Sequence, residues 1–391
     1  MKARLVIAAV ILLLLTPLWM WLAWMLSDTR PLAMLVIDKT STTAEALERS
    51  SLSWVLRHEK IAGPNGGFSL SAEDVLGVKP VAGGTYRING PETFDERGLD
   101  SLGRRYQCVY FVDTYGVTGS GWGAPGRTGR SPFRYGGLSR EDLSLLRAFR
   151  RQRKPVLAEF NFFAGPTRDS IRRAAEDLIG VRWSGWVGRS FISLDTVANP
   201  ELPSWVVTLH KQQYFGSWPY TRGGIVLVHE NGRVVVLENE THLLSPVPLL
   251  ESSREMCLRF GTASRVRYPY WFDIVYPVRP SRVLARYTLE TTEVGDTLLA
   301  YVHLPKRFAA VIAAPDSTPF YYFAGDFADN PPQSHLLASL YGIELFRSFF
   351  FNRRDPFDQR VFFWEFYVPL MSTLVNEMSE SYTSDVVPPG R

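Results

Sequence analysis

Hydrophobic and polar positions follow three successive patterns along the chain. Leu5 to Leu26 is an uncharged apolar run of 22 residues, about 33 Å as a helix and close to the thickness of a hydrocarbon core. Next come shorter apolar runs that end at acids: Leu32 to Ile37 stops at Asp38, Cys108 to Val112 stops at Asp113, and Pro155 to Phe160 carries Glu159 near its end. Unbroken apolar runs of this length predict strands covered on both faces. Helix signals lie between them. Thr42 and Glu45 form a capping box ahead of Leu47, Trp54 and Val55, predicting a helix that runs towards His58. Ser139 with Asp142 opens a helix whose apolar face is Leu143, Leu146 and Phe149. Thr167 caps a third, carrying Ile171, Ala175 and Leu178 and stopped by Gly180. Strand and helix alternate, which predicts a parallel sheet wound with right-handed crossovers.

Beyond Ser184 the pattern changes. Ile225 to Val228 and Val234 to Leu237 flank Asn231-Gly232, a strong hairpin signal. Trp205 to Leu209, Val283 to Leu289, Thr297 to His303, Ala309 to Ala313 and Phe320 to Ala324 also read as β-like runs. Ser334 and Asp355-Pro356 mark two late helix starts, the second interrupted by Pro369. The expected organisation is an anchor over 1–30, an α/β domain over 31–183, a β-rich insertion over 184–280, and a return to the α/β domain with C-terminal helices over 281–391. The fold class is α/β, a mainly parallel sheet with helices on both faces (amidotransferase- or flavodoxin-like) carrying an inserted antiparallel lobe after one N-terminal transmembrane helix.

Charge decides how the first run is read. Lys2 and Arg4 precede it, and Trp19, Trp21 and Trp24 cluster at its far end. These predict a single-pass anchor in the cell's inner membrane through residues 5–26, N-terminus cytoplasmic and globular part outside. A cleaved leader is the alternative, although no small-x-small site is present. A net charge of +4 over 391 residues argues against a nucleic-acid partner. The basic cluster Arg147, Arg150, Arg151, Arg153 and Lys154 suits a helix end, with an anionic partner as the other reading. Two cysteines, Cys108 and Cys257, make no disulfide framework; they pair only if brought within bridging distance, and Cys108 reads as a buried thiol.

Ligands in open parallel sheets collect outside the carboxyl ends of the strands. The acids there, Asp38, Asp113, Glu159 and Asp326, are the candidates for acid/base chemistry, with helix capping as their plainer role. Asn161, Trp186, Arg189 and Asp329 are the candidate ligand contacts; carboxylates with aromatic faces suit a sugar. The six histidines lack His-x-x-x-His spacing, so no metal and no other cofactor is expected. Gly121-x-Gly123-x-x-Gly126 matches a dinucleotide fingerprint in letters only, because Pro125 and the Gly/Arg stretch after it open no helix.

The order GLSREDLSLLRAFRRQRKPVLAEF, then a Gly/Pro turn and helix, and the late segment TPFYYFAGDFAD together resemble the class I glutamine-amidotransferase-like superfamily, including its trehalose-utilisation branch. Active members of that superfamily carry a Cys nucleophile at a strand-to-helix elbow. The matching turn here, Asn161 to Thr167, holds neither Cys nor Ser. The resemblance therefore implies the fold together with loss of that chemistry. The expected function is a non-catalytic envelope protein that binds a partner protein or a polysaccharide. The alternatives are a hydrolase or glycan-modifying enzyme using the strand-end carboxylates, and a packing subunit that docks through Phe349 to Tyr367.

Overall fold

The computed structural model describes residues 15–43, 47–81, 85–118, 133–278, 283–314, 319–331 and 333–386. In chain order its strands are β1 Arg30–Pro31, β2 Met34–Asp38, β3 Ile61–Ala62, β4 Val75–Val81, β5 Thr85–Asn89, β6 Cys108–Asp113, β7 Val117–Thr118, β8 Phe133–Tyr135 and β9 Val156–Ala158. They continue with β10 Val181–Phe191, β11 Gly224–His229, β12 Val234–Glu238, β13 Leu249–Ser252, β14 Arg265–Arg267, β15 Trp271–Pro277, β16 Val283–Thr288, β17 Arg307–Ala314 and β18 Phe320–Phe323.

Ten strands form the main sheet, in the order β14-β13-β16-β17-β18-β9-β6-β2-β4-β5. Only the central block β18-β9-β6-β2-β4 is parallel. Antiparallel ladders extend it on both sides, through β5 at one edge and β17, β16, β13 and β14 at the other. The mainly parallel, flavodoxin-like sheet expected from the sequence is thus corrected to a mixed one. The alternation signal is confined to the first half of the chain, and β13, β14, β16 and β17 pair only antiparallel. A second, four-stranded antiparallel sheet, β12-β11-β10-β15, stands beside it. It adjoins the main sheet where the Asp273 N–H donates to the Ala324 carbonyl at 3.1 Å and the Asp326 N–H to the Trp271 carbonyl at 3.2 Å. Of the residues 184–280, β13 and β14 belong to the main sheet rather than to the second one.

The single-pass anchor is also corrected. Residues 5–14 lie outside the described residues, and the described remainder is an 11-residue helix, Thr16–Leu26, about 16 Å long. Among the described residues no helix is long and apolar enough to cross a membrane, so the transmembrane fold feature, the signal anchor and the inner-membrane placement built on it fall. Trp24, expected in an interfacial belt, is buried against protein; its indole N–H donates to the carbonyls of His58 at 3.1 Å and Arg57 at 3.3 Å.

Several local expectations change with it. Trp205 to Leu209 lies in helix Ser204–Gln213, and Thr297 to His303 mostly in helix Glu293–Tyr301. A five-residue apolar window does not separate strand from helix. In the second case the deciding signal is Thr292, whose side chain accepts from the Gly295 N–H. The helix running to His58 is Ser50–His58, preceded by a 3-10 turn Leu47–Arg49; Glu45 of the expected capping box lies outside the described residues. Thr167 does not cap its helix. Arg168 is the N-cap of Asp169–Ile179, and the Thr167 hydroxyl instead accepts from the Leu138 N–H at 2.9 Å. The Ser139/Asp142 capping box is present, as is the Asn231-Gly232 hairpin with Gly232 at φ 91. Cys108 and Cys257 are both free thiols. The glycine fingerprint at 121–126 lies outside the described residues.

At the C-terminal end, helix Gln359–Phe362 passes through a π-helical turn, Phe363–Tyr367, into helix Val368–Val386. Pro369 explains the turn: it offers no N–H to the carbonyl four residues back, and that carbonyl, on Glu365, accepts from the Ala263 N–H at 2.9 Å. Of the docking segment expected over Phe349 to Tyr367, Phe362, Phe363, Trp364, Phe366 and Tyr367 are buried in the core, whereas Phe349 stays exposed.

Candidate functional site

The parallel block brings the carboxyl ends of β2, β6, β9 and β18 side by side, and with them Asp38, Asp113, Glu159 and Asp326, all buried. Asp38 is held locally. Its Oδ1 accepts from the N–H groups of Thr40 at 3.1 Å and Ser41 at 2.9 Å, and its Oδ2 from Arg49 Nε at 3.2 Å. Asp113 Oδ1 accepts from the Tyr115 N–H at 2.6 Å and faces Asn161 Nδ2 at 3.5 Å. Both acids therefore do part of the turn-capping work that the sequence allowed for. Glu159 accepts from the Tyr110 hydroxyl at 2.8 Å. Asp326 lies beside them just past the end of β18, and it is Glu159 whose second oxygen, Oε1, is buried without a partner among the described residues.

Electrostatics ties them into one cluster. Burial, with the Glu48 carboxylate, pushes Asp113 well above the usual carboxylate range. Burial does the same to Glu159, the Tyr110 hydroxyl opposing it and the Asp113 charge adding to it. Asp326 is pushed well up by burial and then by Asp329, Glu159, Asp113 and Glu48. Asp329 is raised by burial, against the Tyr270 hydroxyl donating at 2.5 Å and the nearby Arg189 guanidinium. Glu48 is raised by burial and by Asp38. Like charges withdrawn from water disfavour one another's ionisation, so much of this cluster holds its protons to higher pH than exposed acids do.

Of the expected ligand contacts, Asn161, Arg189 and Asp329 border this cluster. Asn161 sits in the left-handed region at φ 67, tolerable for Asn and a place where strain gathers at functional turns. Arg189 packs over Trp271, 5.1 Å from its ring centroid, and pairs with Glu201 at 2.6 Å. Trp186 does not join them; it is buried in the four-stranded sheet with its ring edge-on to His229. Sequence reasoning missed Glu48, Arg49, Tyr110 and Tyr270. A signal for Tyr110 existed, because alternation on β6 and its parallel register with β9 put it on the face of Glu159. Glu48 carried none, lying in a 3-10 turn that the sequence presents as the interior of a helix.

Asp326 and Asp329 line a narrow crevice with Tyr268, Tyr270, Asn330 and Phe362, about 170 Å³ of interatomic space without a void that would admit a water molecule. Among the described residues no group of three or more His, Cys, Asp or Glu side chains is arranged to hold a metal. The turn from Asn161 to Thr167 offers only the Thr167 hydroxyl, already engaged by Leu138.

These features define a class: a mixed α/β protein with an acidic crevice at the carboxyl ends of its parallel strands. No family model matches the chain, and no curated protein does. Among solved structures it is similar to the crystal structure of a ThuA-like protein from Bacteroides uniformis, at 11% identity over 85% of this chain and 97% of that one, with a TM-score of 0.33. A superposition that slight carries neither fold nor function to this chain.

Proposed function

We propose that this chain is a non-catalytic recognition protein, amidotransferase-like but without the attacking group, and that it binds a polyhydroxylated ligand of glycan type at the acidic crevice. The observation that carries the reading is the group of buried acids at the strand ends, where Glu159 Oε1 meets no partner among the described residues and Asp326 lines a crevice with two tyrosine rings and Phe362. A buried polar group without a partner is costly. A sugar hydroxyl supplies donor and acceptor together, and aromatic faces suit the apolar side of the ring. The turn at 161–167 supports binding without covalent attack, since its one hydroxyl is committed to the backbone of Leu138. The test is calorimetric titration of the full chain with oligosaccharides. Saturable binding that Asp326→Asn weakens about tenfold or more supports the reading; no saturable binding to any of them contradicts it.

A hydrolase is the second reading, favoured by one observation: a general acid needs a carboxyl whose pKa is raised, and burial together with neighbouring Asp329 raises Asp326. The closed crevice counts against turnover within it, and glycan binding likewise requires Tyr268, Tyr270 or Phe362 to move aside, because the gap as it stands admits no water molecule. Turnover of the same oligosaccharides that disappears in Asp326→Asn would decide for the enzyme.

A further inference from the structure

Helix Thr16–Leu26, sequence TPLWMWLAWML, has no charged residue. A helix apolar on every side is normally covered on every side. Here only part of it meets protein: Trp24 is buried, Met20 is half-buried against the core, and the Met20 carbonyl accepts from the Tyr341 N–H at 3.1 Å. Leu18, Trp19 and Trp21 point outwards, Trp19 with half of its surface exposed. The segment it leans on is equally bare. Tyr341 is exposed, as are Leu345 at 86% and Phe349 at 82% on the adjoining 3-10 turn Ile343–Phe349. Scattered apolar residues need no explanation, but an adjoining group of this size marks a contact surface.

We propose that this face, formed by helix Thr16–Leu26 together with Tyr341, Leu345 and Phe349, rests on a lipid surface without crossing it. Two observations select lipid over a protein partner. Tryptophan and tyrosine beside leucine and phenylalanine are the side chains that settle at the boundary between headgroups and acyl chains. The sequence immediately before the helix, Leu5 to Leu14, is wholly apolar, a run that suits a lipid surface better than a soluble partner. The contact is independent of the acidic crevice, which lies at the strand ends.

The test uses the full chain, exchanged from detergent into phosphatidylcholine vesicles with and without phosphatidylglycerol. In a Cys257→Ser background, Leu345→Cys carries an environment-sensitive fluorophore, and Val197→Cys, exposed on the segment between β10 and helix Ser204–Gln213, serves as control. The Leu345 label is expected to shift to the blue on vesicles and to be quenched by nitroxide-bearing lipid, with the Val197 label unchanged. Leu345→Ser with Phe349→Ser is expected to weaken vesicle binding about tenfold. Three results would overturn the proposal: no vesicle binding; binding with the Leu345 label still in water, which would assign attachment to residues 5–14 alone; or a lipid-independent blue shift that grows with protein concentration, which would assign the face to a second copy of the chain.

Discussion

Asp38 and Lys39 are neighbours at the end of β2, yet they enter two buried charge clusters of opposite design. Lys39 is fully buried and reaches two carboxylates, Asp142 and, at 2.6 Å, Glu92; it also donates to the Gly137 carbonyl at 3.1 Å. Burial works against its charge, and the two carboxylates outweigh it, so its pKa rises. Glu92 moves the other way: burial would raise it, and Lys39 brings it down. Asp142 closes the cluster, since the same carboxylate accepts from the N–H of Ser139 at 2.7 Å in the capping box. On the Asp38 side, Asp113, Glu159, Asp326, Asp329 and Glu48 crowd together, with Arg49 against Asp38 and Arg189 near Asp329. The first cluster is built around a cation, although burial still raises Asp142 and leaves its Oδ1 without a partner among the described residues. The second gathers several acids around few cations, the condition expected of a surface that a ligand completes.

Lys39→Met should produce the largest effect, because it leaves Asp142 buried without its cation; a loss of about 3–5 kcal/mol in denaturant unfolding is expected. If stability barely changes, the two clusters are not distinct in the way argued here. Asp326→Asn should act in the opposite direction. A carboxyl whose folded pKa lies above its unfolded value contributes stability that is complete below the unfolded value and is lost as pH rises through the folded one. The variant is therefore expected to be more stable than the parent by roughly 1–2 kcal/mol at pH 8 and equal to it near pH 4, measured as thermal unfolding across pH. Gaining stability while losing ligand is the trade expected of a functional residue. Ser139→Ala removes one cap of the cation-centred cluster and should lower stability by about 1 kcal/mol, with no change at the acidic crevice.

Aspartate 273 offers a finer measure of burial outside either cluster. It lies on β15, accepts from the Tyr322 hydroxyl at 2.5 Å, and burial pushes it up to about 7. Asp273→Asn should flatten the decline in stability between about pH 4 and pH 7 that this single group imposes.

The sequence was most legible where its signals were local. The Ser139 capping box, the Gly180 stop and the Asn231-Gly232 turn each depend on a few adjacent residues, and each is found. The acids at the strand ends were legible for a related reason, because an apolar run that stops at an acid marks both the strand and its end. What escaped depends on pairing across the chain. Nothing local states that β13, from the expected insertion, lies against β16, or that Tyr270 donates to Asp329 from 59 positions away. Trp186 was expected at a sugar face, but alternation along β10 turned it into the core, where a large apolar ring gains most.

The most direct test of the acidic cluster is a carboxyl-carbon NMR titration of the full chain, with Asp326, Glu159 and Asp113 assigned by substitution. The account predicts that all three titrate well above the ordinary carboxylate range of about 4, and that replacing Asp329 by Asn lowers Asp326 more than the other two while burial keeps it raised. Titration of all three near 4 would contradict it.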